Sequence, residues 1–431
     1  MRNRLWLSIA MLVIAALVLA ACGGGAAPAA PEAPAAEEAA AEAEATEAPA
    51  EEAAAAGGPA LTIWADEIRA PVLEELAAGF TDQYGVGVEV VQKGFGNLRS
   101  DFVVAAPTGE GPDILVGAHD WIGEFIASGL LAPVDLGDKA DSFAANAVAA
   151  FTYPDGNLYG MPQAVENVAF YYNTDLVPEA PATFDDVKAL SAELIEAGNK
   201  YGFLRQAGDP YHFYPVQTAF GGYIFGKNDD GSYNADDLGL DSEGSLAALE
   251  WYNSLFADGV LDTGANIDDA LMQSAFQTGD AAMMISGPWA LNGVREAGVP
   301  YAVAPIPAGT EAGRPFLGVQ GFMINAFSEN QLLAQTFLQE FIATDETMQA
   351  FFELDPRVSA WISVAEAIED PDLKAFMEAG MVADPMTNIP AMNSVWGGWG
   401  DAITLIANGS ATPEEAATQA QEQVSTAIAG N

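Results

Sequence analysis

The sequence predicts an α/β protein folded as two lobes. Its 431 residues are more than one simple core holds, and they suit two once the ends are set aside. From Leu61 to Ile126 short strand-like runs alternate with helical ones, an order that calls for a parallel sheet wound with right-handed crossovers. No internal repeat of roughly 20 to 50 residues is visible, which removes solenoids and propellers.

The N-terminal end is set aside by composition. Arg2 and Arg4 precede an uncharged, largely apolar run from Leu5 to Ala21, the basic and apolar regions of a signal peptide. At 17 residues the run is slightly short for a spanning helix, and nothing like it recurs, so export without a further membrane span is expected. Cys22, the one cysteine, closes the string "LVLAAC" and has no partner for a disulfide. Leu19-Ala20-Ala21-Cys22 resembles the lipobox of bacterial lipoproteins, which implies a lipidated Cys22 as the mature first residue and a hold on the membrane through acyl chains. The plainer alternative is a small core cysteine. From Gly23 to Ala60 the chain is almost entirely Ala, Glu, Pro and Gly, with eight glutamates, no basic residue and no large apolar one. Such a stretch buries too little to offset its ordering entropy and reads as a self-repelling tether.

The elements then follow in order. "LTIW" at Leu61 is a strand, and Leu73, Leu76, Phe80 and Tyr84 mark a helix by their spacing. Val86, Val88 and Val90 alternate as a second strand, a second amphipathic stretch runs from about Asn97 to Ala106, and "DILVG" from Asp113 is a third strand. Ile122, Phe125 and Ile126 share one face of a third helix. "TFDD" at Thr183 and "TPEE" at Thr412 pair a capping residue with an acid three positions on, starting helices near 184–197 and 413–428. "AAMMIS" from Ala281 is another strand, ending at "GPWA". Ligands of open parallel sheets gather beyond the carboxyl ends of strands, and Asp66, Glu67, His119, Asp120, Trp121 and Trp289 all lie just past such ends.

Charge and chemistry narrow the function. The formal net charge is -47, and from Leu61 onward 12 basic and 53 acidic residues leave a net of -41. That surface repels nucleic acid and anionic headgroups. It reads as a solubility device, with adaptation to high salt as the second possibility; an unfolding midpoint that rises with salt separates the second from the first. The body holds two histidines, His119 and His212, about ninety residues apart, without metal-ligand spacing, and no cofactor motif is present. There is no G-x-S-x-G and no H-E-x-x-H, although composition alone leaves open a glycosidase pair such as Asp120 with Glu166. Binding fits better. Aromatics and acids recur together after strand ends or in turn-rich loops: Trp64 with Asp66 and Glu67, Asp120 with Trp121, Asp209 with Tyr211 and Tyr214, then Trp289, Trp396 and Trp399. Sugars offer flat C–H faces that stack on rings and hydroxyls that donate to carboxylates. For any single tryptophan, core packing is the competing explanation.

From Leu61 nearly to the C-terminus the chain resembles the bacterial maltose/maltodextrin-binding proteins, solute-binding components of ABC importers. The strings that carry the resemblance, in order, are "TGEGPDILVGAHDWIGEFIASGLLAPV", "MPQAVENVAFYYNTDLVP", "DPYHFYPVQTAFGGYIF", "AFQTGDAAMMISGPWALN", "RPFLGVQGFMIN" and "NIPAMNSVW". The resemblance implies the two-lobe periplasmic-binding-protein-like fold of type II, with a hinge crossed three times by the chain, and lobes of 61–166 with 303–369 and 167–302 with 370–431. Carried over by position, Asp120 and Glu166 accept hydrogen bonds from sugar hydroxyls. Asp66 or Glu67, with Arg69, matches a polar pair in a first loop that is one residue shorter here. Asp209 and Tyr211 match a carboxylate and a stacking aromatic, and Trp289 and Trp396 the platforms under successive glucose rings. The chain departs from the best-known pattern at Gly117, where a tryptophan is usual, and at Trp121 and Gly400, where arginines are; Trp121 joins the binding set as an added aromatic. His212 stands where an aromatic is usual and either stacks or packs.

The resemblance implies a receptor without cofactor or metal, expected to be a monomer and held by lipid on Cys22 at the outer face of the cytoplasmic membrane or in the periplasm. It would capture maltose or longer α-1,4-glucans and present them to permease subunits driven by an ATPase. A receptor for a cyclodextrin or another disaccharide is the alternative, and an extracellular glycosidase or adhesion module a more distant one.

Overall fold

The computed structural model describes residues 60–228, 232–264 and 267–430. The expectations for the signal peptide, Cys22 and the tether lie outside these residues, except that Ala60 already opens the first strand.

Strands β1 (Ala60–Ala65), β2 (Gly87–Gln92) and β3 (Ile114–Ala118) alternate with helices Arg69–Tyr84 and Phe95–Ala105. β1 pairs in parallel with both β2 and β3, as the alternation requires. The first helix buries Leu73 and Phe80 and stops at Gly85, whose φ of 68° costs glycine little and turns its N–H back onto the Thr81 carbonyl at 2.8 Å. β2 lies at the sheet edge, so its valines are only half-buried.

The chain continues through β4 (Leu131–Ala132), β5 (Met161–Glu166), β6 (Ala169–Asn173), β7 (Tyr201–Leu204), the paired β8 (Phe225–Lys227) and β9 (Tyr233–Leu238), β10 (Ala281–Ser286), β11 (Tyr301–Ala304), β12 (Phe316–Asn325), β13 (Val358–Ser359) and β14 (Asp384–Pro385). The larger sheet runs β13-β5-β12-β3-β1-β2, with β4 and β14 also paired to β12. It is mixed, not parallel throughout, because β12 runs antiparallel to both β3 and β5. Nine of the ten β12 residues are buried, so the run carries no alternation from which its place could be read. The smaller sheet has the order β11-β6-β10-β7, with β10 parallel to β7 and antiparallel to β6.

Each sheet has its own hydrophobic core. The first gathers Ile63, Phe80, Phe102, Phe125, Phe322 and Phe337; the second gathers Phe170, Tyr171, Phe203, Phe276, Met283 and Ile403. The chain passes between them from β5 to β6, from β11 to β12, and after β13 into helix Pro371–Gly380, whose Leu373 and Phe376 join the second core. The result is the two-lobe α/β fold, with the C-terminal helices Met392–Ala407 and Pro413–Gly430 packed on the second core.

Both capping sequences work as their spacing predicts. Thr183 Oγ1 accepts the Asp186 N–H at 3.1 Å, and Asp186 Oδ2 accepts the Thr183 N–H at 3.0 Å, starting helix Phe184–Glu196. Thr412 and Glu415 exchange the same two bonds ahead of Pro413–Gly430. Thr183→Ala removes one side of the box far from any pocket and is expected to lower unfolding stability by about 1 kcal/mol, read from denaturant midpoints.

Candidate functional site

Beyond the carboxyl ends of β1, β3, β5, β7 and β10 lies a cavity of about 480 Å³. Asp66, Glu67 and Arg69 reach it from the end of β1, and Asp120 and Trp121 from a 3-10 turn after β3. Glu166 closes β5, Asp209 and Tyr211 come from the loop and helix after β7, Trp289 from the turn after β10, and Trp396 from helix Met392–Ala407. The ten residues of the expected binding set therefore line one space, and its walls come from both cores.

Its floor is a buried ionic cluster. Arg69 Nη1 donates to Asp66 Oδ2 at 2.6 Å and Nη2 to Glu166 Oε2 at 3.3 Å. Arg357 Nη1 bonds the same Glu166 oxygen, and its Nε donates to Asp355 Oδ2 at 2.5 Å. Gln320 Nε2 donates to Glu166 Oε1 at 2.9 Å. Burial pushes the Glu166 and Asp66 carboxyls up, but the Arg357 and Arg69 guanidiniums outweigh it for Glu166, and Arg69 does so for Asp66; both end below their ordinary values. Glu166 is thus an ionised carboxylate with three of its acceptor positions filled, and Oε1 keeps room for one more donor. Glu67, in contrast, is exposed and accepts the Phe95 N–H at 2.9 Å.

Asp120 has no such neutralisation. It is 2% exposed and its Oδ1 has no partner. Burial raises its pKa to about 7, against the pull of Arg99, its own backbone and the Trp396 indole. A sugar hydroxyl would supply the donor that Oδ1 lacks. His119, next to it, does not line the cavity. Its Nδ1 accepts the Val319 N–H at 3.0 Å, so Nε2 carries the proton and meets the Met386 carbonyl at 2.7 Å. Burial drops its pKa to about 4, and the ring serves as a neutral tie between β12 and the Met386 loop.

The aromatics divide. Trp121, Tyr211, Trp289 and Trp396 face the cavity, with Tyr211 and Trp289 centroids 6.2 Å apart. Trp64, Tyr214 and Trp399 do not: Trp64 is buried under Lys93, Tyr214 stacks on Phe316 at 3.6 Å and donates to Asp384, and Trp399 packs in the second core. Two departures from the family pattern prove to be one, because a Cβ at Gly117 would overlap the Trp121 ring, which folds back over its own strand and stacks obliquely on Phe95 at 5.3 Å. At Gly400 a Cβ would lie 2.9 Å from the Gly208 carbonyl, so helix Met392–Ala407 meets the 206–210 loop too closely for a side chain there. Asp209 also caps helix Pro210–Ala219, its Oδ1 accepting the His212 N–H at 2.9 Å.

Sequence reasoning missed Phe95, Arg99, Gln320 and Arg357, which also line the cavity. Phe95 and Arg99 share the amphipathic stretch after β2, and their turn toward the site follows from that helix's start at a strand end. Gln320 and Arg357 carried no local signal, because each meets Glu166 across more than 150 residues.

The lone buried Asp120 has a measurable consequence. A carboxyl whose folded pKa lies above its unfolded value binds more protons folded than unfolded, so stability falls as pH rises from about 4 to about 7. Full ionisation would cost up to about 4 kcal/mol at three pKa units. Asp120→Asn is therefore expected to raise the unfolding midpoint at pH 8 and leave it nearly unchanged at pH 4.5; equal effects at both values would refute the assignment.

The chain matches the family described as bacterial extracellular solute-binding protein over residues 75–380. It is 32% identical to the galactooligosaccharide-binding protein of Bacillus subtilis over 375 residues, covering 85% of this chain and 88% of the relative. The maltodextrin-binding protein MdxE of the same organism is 30% identical over 378 residues, 84% and 89% of the two chains. The maltotriose-binding protein of Pyrococcus abyssi is 33% identical over 331 residues, 74% and 71%. A family match over most of the chain, together with relatives 30 to 33% identical over 74 to 85% of it, establishes that this chain belongs to the bacterial extracellular solute-binding proteins.

Proposed function

We propose that the protein is the sugar receptor of an ABC importer, taking maltose or longer α-1,4-glucans into the cavity and delivering them to a membrane permease. The observation that carries the reading is the wall composition. Asp120 and Glu166 offer carboxylate oxygens with free acceptor capacity, while Tyr211, Trp289 and Trp396 offer ring faces from the other core. A chain of glucose units presents both surfaces. The lobes 61–166 with 303–369 and 167–302 with 370–431 close on the sugar, because a ligand that contacts both walls binds the closed form better than the open one. Lipid on Cys22 keeps the receptor, as a monomer, outside the cytoplasm near the permease.

A second reading has its own support. A relative named for galactooligosaccharides aligns over as much of the chain as those named for maltodextrins, and the exchange at Gly117 and Trp121 alters one wall. In that reading the receptor takes α- or β-galactosides with the same residues.

Isothermal titration of maltotriose into the chain from Gly23 to Asn431 tests the first reading, and a galactooligosaccharide titrated in parallel tests the second. Saturable heat that returns to baseline with maltotriose is expected, and no heat with maltotriose but saturation with the galactoside would transfer the assignment. Trp289→Ala should weaken the binding sugar by about 5- to 150-fold, the 1 to 3 kcal/mol typical of a lost aromatic anchor. An unchanged dissociation constant would remove Trp289 from the site.

A further inference from the structure

The rings that line the cavity fall into two groups. Tyr211, Trp289 and Trp396 are half-buried and come from the second core's side, where Trp289 stands 6.2 Å from Tyr211 and edge-on to the buried His212 at 5.7 Å. Phe95 and Trp121 form the other group, on the first core's side, with centroids 5.3 Å apart. Among the described residues no ring contact joins the two groups. Asp120 stands between them, next to Trp121 in the chain and hydrogen-bonded by the Trp396 indole.

Within the first-core group the two rings are unequal. Trp121, expected from the sequence as an added stacking aromatic, is only 6% exposed: its ring lies over Gly117, meets Phe125 at 6.3 Å, and is covered obliquely by Phe95. Phe95 is 39% exposed and lines the cavity, so it is the ring with open area on this wall. Its backbone is held as well. It opens helix Phe95–Ala105, where Gly94 offers no side-chain cap, and its N–H goes to Glu67 Oε2 at 2.9 Å. Ile68, the neighbour of that glutamate in the chain, is also exposed and lines the cavity. A single exposed apolar side chain on a protein surface is ordinary. Two that line a cavity carrying unsatisfied carboxylate capacity, one of them backed by a tryptophan, make an apolar shelf continuous with that site.

We propose that Phe95, backed by Trp121, is an outer subsite that stacks a further pyranose unit, and that it makes the receptor favour oligosaccharides of three or more units over disaccharides. The inference rests on the sugar-receptor reading and adds chain length to it. A pyranose offers hydroxyls at its edge and C–H groups on its faces; Asp120, Glu166 and the second-core rings serve both surfaces of the first units bound. A disaccharide held there leaves Phe95 uncovered. A further unit that reaches the first-core shelf removes the open ring from water and gains affinity from that area. Because Glu67 and Trp121 already fix Phe95, little ordering entropy is lost when a sugar stacks on it. If Phe95 served only to cover Trp121, its loss would disturb the adjacent Asp120 and weaken sugars of every length alike.

The test is titration of maltose, maltotriose and maltotetraose into wild type, Phe95→Ala, Phe95→Leu and Phe95→Tyr, with the corresponding galactosides in parallel. Phe95→Ala is expected to weaken the tri- and tetrasaccharide by about five- to tenfold and the disaccharide by less than about twofold. Leucine keeps apolar bulk over Trp121 without a flat face and should resemble alanine, whereas tyrosine keeps the ring and should restore wild-type affinity. Equal losses at every chain length would overturn the subsite, as would a wild type that binds the disaccharide as tightly as the trisaccharide. If Phe95→Ala binds every length as wild type does while Trp289→Ala still weakens binding, the subsite is wrong and the receptor reading stands. Wild type that binds none of the sugars overturns both proposals.

Discussion

The cavity depends on the buried pairing of Glu166 with Arg69 and Arg357. Taking five charged groups out of water (Asp66, Glu166, Asp355 and the two arginines) costs several kcal/mol each, which mutual charge and the hydrogen bonds among them offset. The arrangement ties the end of β1, the end of β5 and the segment after helix Asp345–Leu354 into one floor. None of these chain segments is near another in sequence, so the cluster joins parts of the chain that only the fold brings together. Losing one arginine would leave carboxylates buried without a counter-charge, a far greater penalty than losing the pair together. Two guanidiniums against three carboxylates leave one formal negative charge under the ligand. That suits hydroxyl donors and disfavours anions.

The aromatic walls rest on a second constraint, the absence of side chains beneath them. Gly287 stands under Trp289 as Gly117 stands under Trp121, and in both cases a Cβ would overlap the ring. Each tryptophan lies across the cavity because the residue it folds over, Gly117 on β3 or Gly287 just past β10, carries no side chain. Gly318, on β12, works the same way from the opposite side, where a Cβ would come within 3.3 Å of the Tyr211 hydroxyl. Glycine in these strands therefore serves approach, not flexibility.

Much of this was legible before the structure. The strand and helix periods of residues 61 to 127, the two capping boxes and the placement of acids past strand ends are local signals, and the structure has each where its pattern puts it. What stayed illegible was decided over long distances. β12 enters the sheet between β3 and β5, and a uniformly buried strand gives no period to say which neighbours it takes. Arg357 looks like any surface arginine until Glu166 is brought to it. Trp64, Tyr214 and Trp399 share their local context with Trp121, Tyr211 and Trp396, and only packing separates core from cavity: Tyr214 finds Phe316 and Asp384, whereas Tyr211, three residues earlier on the same helix, projects into the open space.

Asp120 and Glu166 still resemble the paired carboxylates of a glycoside hydrolase, one with a raised pKa and one with a depressed one. The surroundings show why this pair holds instead of reacting. A nucleophilic or basic carboxylate needs high basicity, but the two guanidiniums on Glu166 Oε2 and the Gln320 amide on Oε1 lower its basicity and pin it in place, leaving one Oε1 lone pair that can accept a hydrogen bond. Asp120 owes its raised pKa to burial without a donor, and a hydroxyl that fills Oδ1 stabilises the ionised form, drawing the pKa down as the sugar binds. The candidate acid would thus lose its proton on meeting the ligand, before any bond could be broken. A general acid must do the reverse, keeping its proton until the transition state. On the proposed reading the same two carboxylates would meet ground-state hydroxyls and bind without chemistry, in keeping with relatives named as binding proteins.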